Sequence, residues 1–150
     1  MDFKRFNAIT KEVLLDYGFR KINPRKYVIR LEHITILLEM FSYDKSKKLA
    51  YSFSFNALDN TTDPPTNIEN GRFDNLFTEP LIVDYSYNPK RGSPWLLYEE
   101  YTEEYYRDLL TNLIKRYFDP FKKDTFKLFR TNVGLGNTCT RQARKFLGLE

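Results

Sequence analysis

The spacing of apolar residues divides this chain into a helical start, an alternating middle and a helical end. Across residues 2–17, Phe3, Phe6, Ile9, Val13, Leu14 and Tyr17 recur every three or four positions and share one face of a predicted amphipathic helix. Lys4, Arg5, Lys11, Glu12 and Asp16 fall mostly elsewhere, and Gly18 tolerates a left-handed stop. After Asn23-Pro24 the period becomes two. Tyr27, Ile29 and Leu31 alternate with Val28 and Arg30; Ile34, Ile36, Leu38 and Met40 alternate with Thr35, Leu37, Glu39 and Phe41. The cleanest split sets Leu49, Tyr51, Phe53, Phe55 and Ala57 against Ala50, Ser52, Ser54 and Asn56, a strand with one buried and one wet face. Connectors as short as Glu32-His33 and "DKSK" cannot carry parallel crossovers, so an antiparallel meander is predicted.

Residues 58–80 are rich in Asn, Asp, Thr and Pro and read as a hydrated insertion; a connection this long is also often functional. "LIVDYSY" (81–87) alternates again and predicts a fourth strand, followed by a turn-rich connector at 88–94. The helical period returns over 99–118. Tyr98, Tyr101, Tyr105, Leu109, Leu113 and Tyr117 form its stripe, broadened by Leu110 and Ile114, with Glu103 and Arg107 as an i,i+4 pair. Asp119-Pro120 is expected to end this helix. "FKKDTFKLFR" fits either a short helix or a loop, and a last helix is predicted over 138–147. The sum is one α+β domain over 1–150. It has an N-terminal helix, an antiparallel meander of about four strands, and two or three C-terminal helices packed on the sheet face bearing Phe53 and Phe55.

Composition narrows the class. A chain of 150 residues can bury roughly two thirds of its unfolded surface, and 41% hydrophobic with 17% aromatic residues argues for a folded core over disorder. The single cysteine, Cys139, excludes an internal disulfide and suits a reducing compartment. The first residues lack a signal-peptide pattern, and the apolar run "ITILLEMF" is too short to span a bilayer, so a soluble cytoplasmic protein without a membrane partner is expected. The net charge of +4 is uneven: residues 115–150 carry nine basic and three acidic side chains. Such a third could attract nucleic acid or an acidic protein.

Chemistry-bearing motifs are sparse. "GLGNTC" has Gly-x-Gly spacing, but Cys139 stands where a dinucleotide fold needs its third glycine, and eleven residues after it leave no room for the rest of a βαβ unit. The glycines are read as a turn, with Asn137 or Thr138 capping the last helix. Near that helix start Cys139 could have a lowered pKa, yet its one possible base is His33, in a predicted strand turn. One His and one Cys give no typical zinc set. Glu99, Glu100, Glu103 and Glu104 are explained by the positive end of a helix dipole. Trp95, Tyr98, Tyr101, Tyr105 and Tyr106 could stack on a ring-shaped ligand, but aromatics at helical spacing favour core, with Tyr106 the candidate exposed member. No catalytic residue, metal or cofactor is expected.

Two candidate binding surfaces emerge. One is the polar sheet face of Ser52, Ser54 and Asn56 beside the 58–80 loop. The other is the basic end, with Lys122, Lys123, Lys127, Arg130, Arg141 and Arg144 around Phe121, Phe126 and Phe129. Over about the first 58 residues, Gly18, Phe19, Tyr27, Arg30, Phe53, Phe55 and Asn56 follow an order of elements that resembles a group of small bacterial domains of unknown function, some encoded near toxin and immunity genes. That resemblance implies an α+β fold and a binding or immunity-like role, and it carries no catalytic residue. A non-catalytic protein-binding module is therefore the leading expectation. A nucleic-acid binder using the basic third and an enzyme with an unrecognised site are the alternatives.

Overall fold

The computed structural model describes residues 1–59, 68–86 and 90–150. Helix α1 (Phe3–Tyr17) starts where the Asp2 carboxylate accepts the Arg5 amide, and it stops at Gly18, whose φ of 121° lets its N–H reach back to Leu14 and Leu15. Strands β1 (Arg20–Asn23), β2 (Lys26–Arg30), β3 (Ile34–Tyr43), β4 (Ser46–Phe55) and the two-residue β5 (Glu79–Pro80) form one antiparallel sheet in chain order. The α+β architecture read from periodicity is thus the architecture of the molecule, with β1 as an additional exposed edge strand. Among the described residues four α-helices follow: α2 (Glu103–Lys123), α3 (Thr125–Thr131), α4 (Val133–Asn137) and α5 (Arg141–Leu147). Among the described residues no helix is long and apolar enough to cross a membrane.

Pairing of Ile36 with Phe53 and Leu38 with Tyr51 puts the large rings of β4 on the helical side. Phe53 and Phe55 each lie 5.0 Å from Phe129 of α3, Phe55 lies 5.6 Å from Phe146 of α5, and Tyr51 meets Phe118 edge-on at 5.5 Å. Phe6 of α1 and Tyr106 of α2, 4.9 Å apart, close the core at its other end. Each of these residues is almost fully buried, except the half-covered Phe146.

Three readings of the sequence are corrected by the structure, and one that was left open is settled. Helix α2 passes through Pro120 to Lys123, because Phe118 and Phe121 anchor the last turns on Tyr51 and Asp119 accepts the Tyr17 hydroxyl at 2.6 Å. These ties offset the roughly 3 kcal/mol that a helical proline costs. The glycines sit inside α4, not in a turn, and Thr140, not Asn137 or Thr138, caps α5. "FKKDTFKLFR" resolves as the end of α2 followed by α3, capped by Asp124. The expected fourth strand at 81–87 is displaced: pairing with β4 falls on Glu79 and Pro80, residues 81–86 hold one isolated bridge, and Tyr87 lies outside the described residues.

Candidate functional site

The polar sheet face is not a surface. Ser52 and Ser54 are buried because residues 68–80 lie across that side, where they meet Thr78 and Asp74. Ile68 packs with Val28 and Leu37 in a second small core. The Asp74 carboxylate accepts the Phe55 amide at 2.8 Å and the Ser54 hydroxyl at 3.2 Å, and the Asn75 side-chain Oδ1 accepts the Phe53 amide at 2.9 Å. This stretch is a strap on the sheet, not a hydrated insertion; residues 60–67 lie outside the described residues. Asn56 is half-buried and spends its amide on Leu31 and Glu32 carbonyls and on the Thr35 hydroxyl.

Tyr106, expected at the surface, is fully buried, and its hydroxyl meets that of Thr10 at 2.7 Å. The basic residues divide. Lys122, Lys123 and Lys127 are exposed, with the Lys122 ammonium 3.7 Å above the Tyr17 ring. Arg130 donates to the Leu147 carbonyl, and Arg144 donates to the carbonyls of Gly136 and Leu149 while lying 3.7 Å from Glu150. Arg141 faces the same carboxylate at 3.8 Å. Phe121 and Phe129, expected at the centre of a basic rim, are buried in the core. Cys139 is buried as well, and desolvation pushes its thiol up to about 11, opposite to an activated nucleophile. No group of three or more metal-ligating side chains occurs among the described residues.

The concave feature lies elsewhere. A cleft of about 920 Å³ opens between the β3–β4 hairpin tip, residues 83–84 and 92–97, and the start of α2. Tyr43, Trp95, Tyr101 and Tyr105 supply four aromatic rings to it, with Val83, Leu97 and Leu109 between them and Asp84 and Glu100 as its charged members. Tyr43 is 73% exposed and Tyr105 55%. Their rings pair with the other two: Tyr43 to Trp95 at 6.0 Å, Tyr101 to Tyr105 at 5.1 Å.

Local sequence explains why this cleft has fixed walls. Gly92 has φ +68°, and a Cβ there would stand 2.2 Å from the Ile82 side chain. Glycine thus lets the chain turn tightly enough for Ser93 to exchange backbone hydrogen bonds with Val83 and Asp84. Pro94 and Trp95 follow, and Leu96 bonds reciprocally to Lys47 of β4. The opposite side of the 82–84 wall is tied to α2, where the Tyr117 hydroxyl accepts the Ile82 amide and Arg116 donates to the Ile82 carbonyl. Tyr101 is held by the Leu97 amide, which donates to its hydroxyl; burial raises that phenol's pKa against the pull of this bond.

Three of these residues, Trp95, Tyr101 and Tyr105, belong to the aromatic set whose spacing favoured core. The helix turns its 106-110-113-114 face inward instead, which releases Tyr105 and leaves Tyr101 half-buried. Tyr43 and Asp84 carried no sequence signal that pointed to a cleft, and Glu100 was read only as part of an acidic helix start, although it lies in the turn before α2. A lone tryptophan directly after a Gly-Ser-Pro turn was the available cue.

No family model, curated protein or solved structure matches this chain.

Proposed function

We propose that this chain is a non-catalytic protein-binding module, with the Tyr43–Trp95–Tyr101–Tyr105 cleft as its docking surface. The observation that supports it is an open hollow lined by four rings and held by backbone bridges at Gly92–Leu96 and side-chain ties from α2. Large amphipathic rings that are ordered before binding offer contact area at low entropic cost, which is how protein interfaces use Tyr and Trp. Among groups whose proton affinity is clearly displaced, Tyr17, Tyr51, Tyr106, Tyr117 and Cys139 belong to packing contacts outside the cleft; Tyr101 lines it. The immunity-like role implied by the resemblance of the first 58 residues is one biological form of this function. The docking site moves from Ser52, Ser54 and Asn56 to the cleft.

Photo-crosslinking tests the reading. With p-benzoylphenylalanine in place of Tyr105, the expected product in host extract is one discrete polypeptide adduct, lost when the same group replaces Lys127. Adducts at Lys127 and none at Tyr105 would overturn the assignment.

A further inference from the structure

The end of α2 remote from the cleft carries a second row of rings. Phe126 of α3, the member of the expected basic rim that the core does not bury, lies 4.6 Å from His33 in the β2–β3 turn and 5.8 Å from Phe146 of α5. The His33 side chain is 42% exposed and Phe146 37%, with Phe126 partly covered between them. Three adjoining rings from three elements thus reach water. Lys123 and Lys127 flank Phe126 along the chain, Lys145 precedes Phe146, and all three lysines are exposed. No carboxylate among the described residues pairs with any of them. The acids of the basic third are engaged elsewhere: Asp119 accepts the Tyr17 hydroxyl, Asp124 accepts the Lys127 amide, and Glu150 lies beside Arg141 and Arg144. Glu32, 3.6 Å from His33, borders the row, and at 87% exposure it swings clear at little cost.

We infer that this row binds single-stranded nucleic acid, with bases stacked on His33, Phe126 and Phe146 and the neighbouring phosphates at Lys123, Lys127 and Lys145. Wet rings beside unpaired ammonium groups match the two things an unpaired strand offers: base faces that stack on any ring, and a phosphate backbone that displaces counterions from lysines. A duplex hides its base faces and meets the lysines alone. An acidic peptide pairs with the lysines and leaves the rings uncovered. This second surface is independent of the docking cleft, which lies at the start of α2.

A fluorescein-labelled oligothymidylate of about 12 nucleotides, followed by anisotropy, is the probe, beside an abasic strand and a duplex of the same length. The thymidylate is expected to saturate the protein more tightly than either, with log affinity falling against log salt at a slope of about −2 for three lysines. Phe146→Leu keeps an apolar contact with Phe55 and removes the ring. It should weaken the thymidylate about five- to tenfold, leave its salt slope unchanged and spare the abasic strand. Lys127→Gln should instead flatten the slope by about 0.7 on both strands. His33→Gln, in a partly exposed turn, repeats the ring test in case Phe146→Leu lowers the urea midpoint. Equal or tighter binding of the duplex or the abasic strand, or ring variants without effect on the thymidylate, would leave charge alone and overturn the assignment. Failure of the thymidylate to saturate at about 50 mM salt would do the same. A glutamate-rich peptide that displaces the thymidylate at lower concentration would give the surface to an acidic polypeptide instead. None of these outcomes bears on the adduct at position 105, so the cleft stands or falls separately.

Discussion

Thr10 and Tyr106 form a chain of two hydroxyls across the seam between α1 and α2. The Thr10 hydroxyl donates to the Phe6 carbonyl at 2.7 Å, so the Tyr106 hydroxyl must donate to Thr10, also at 2.7 Å, and both side chains are fully buried. Burial raises the Tyr106 phenol far above its ordinary range and keeps it a neutral donor. The two ends of this bond are not equivalent. Thr10→Val strands a buried donor and is expected to cost about 1–3 kcal/mol; Tyr106→Phe removes the donor itself and should cost about 1 kcal/mol. The double variant should be more stable than the sum of the singles implies, since neither group is then left unpaired. Urea unfolding of the four proteins measures this coupling, and strict additivity would show that the hydroxyls do not act together. Phenylalanine would fill most of the same space, so the tyrosine here orients the helix pair as well as packing it.

At the scale of elements, the outer edge of β4 is covered by three separate segments. Leu96 pairs with Lys47, residues 79–81 pair along Leu49–Tyr51, and Asp74 and Asn75 take the amides of Phe55 and Phe53. This removes an unpaired edge that would otherwise template association. Burial raises the Asp74 carboxyl above its ordinary 3.8, against the bonds from Phe55 and Ser54 and the charge of Arg72, with Asp59 adding to the rise. A carboxyl raised on folding holds its proton more tightly in the native state. Its contribution to stability is therefore full below pH 3.8 and is lost as pH climbs through the raised value. Asp74→Asn keeps an acceptor for Phe55 without the charge, so it should match or exceed wild-type stability at pH 7, an advantage that fades toward pH 3.5. Asp74→Ala should cost about 1–3 kcal/mol at both pH values. If Asp74→Asn were the less stable protein at pH 7 and equal at pH 3.5, the sign would be reversed. Alternation in "KLAYSFSF" separated the two faces of β4 and found the buried ring face, but it read the Ser52–Ser54 face as wet, because a period of two cannot tell which distant segment covers a second face. The strap that does so is built from Asp, Asn and Thr, residue types that read as wet until their partners are known. Helix α2 carried two adjacent apolar stripes, 105-109-113-117 and 106-110-114-118, one residue or about 100° apart. Packing against Phe6 and Tyr51 chose the second. The cleft residues then followed from a tertiary decision that spacing could not make.

For the whole molecule, α2 is the axis of a charge separation. Its 21 residues span about 31 Å, with Glu103 and Glu104 in the first turn and Lys122 and Lys123 in the last. Both ends follow the helix dipole, so the pattern stabilises the fold before it serves any partner. Ties between helices use the same charges. Arg5 pairs with Glu103, and Arg107 reaches Glu12 at 2.7 Å instead of forming the i,i+4 pair expected with Glu103. Exposed pairs like these contribute little individually. The basic third is legible in composition, but composition counts charges without showing how they are spent. Arg130 holds the Leu147 carbonyl, Arg144 holds those of Gly136 and Leu149, and Arg141 and Arg144 share Glu150, so Lys122, Lys123 and Lys127 remain as the exposed lysines of the predicted set. Three phosphate contacts give an expected slope of log affinity against log salt of about −3 on duplex DNA. Titration of a 20-base-pair duplex between about 50 and 200 mM salt, a range over which that slope gives a loss of roughly fiftyfold, reads that slope. A slope of about −6 or steeper would mean that the arginines release their carbonyls to bind phosphate, and it would promote nucleic acid over a polypeptide as the partner of this fold.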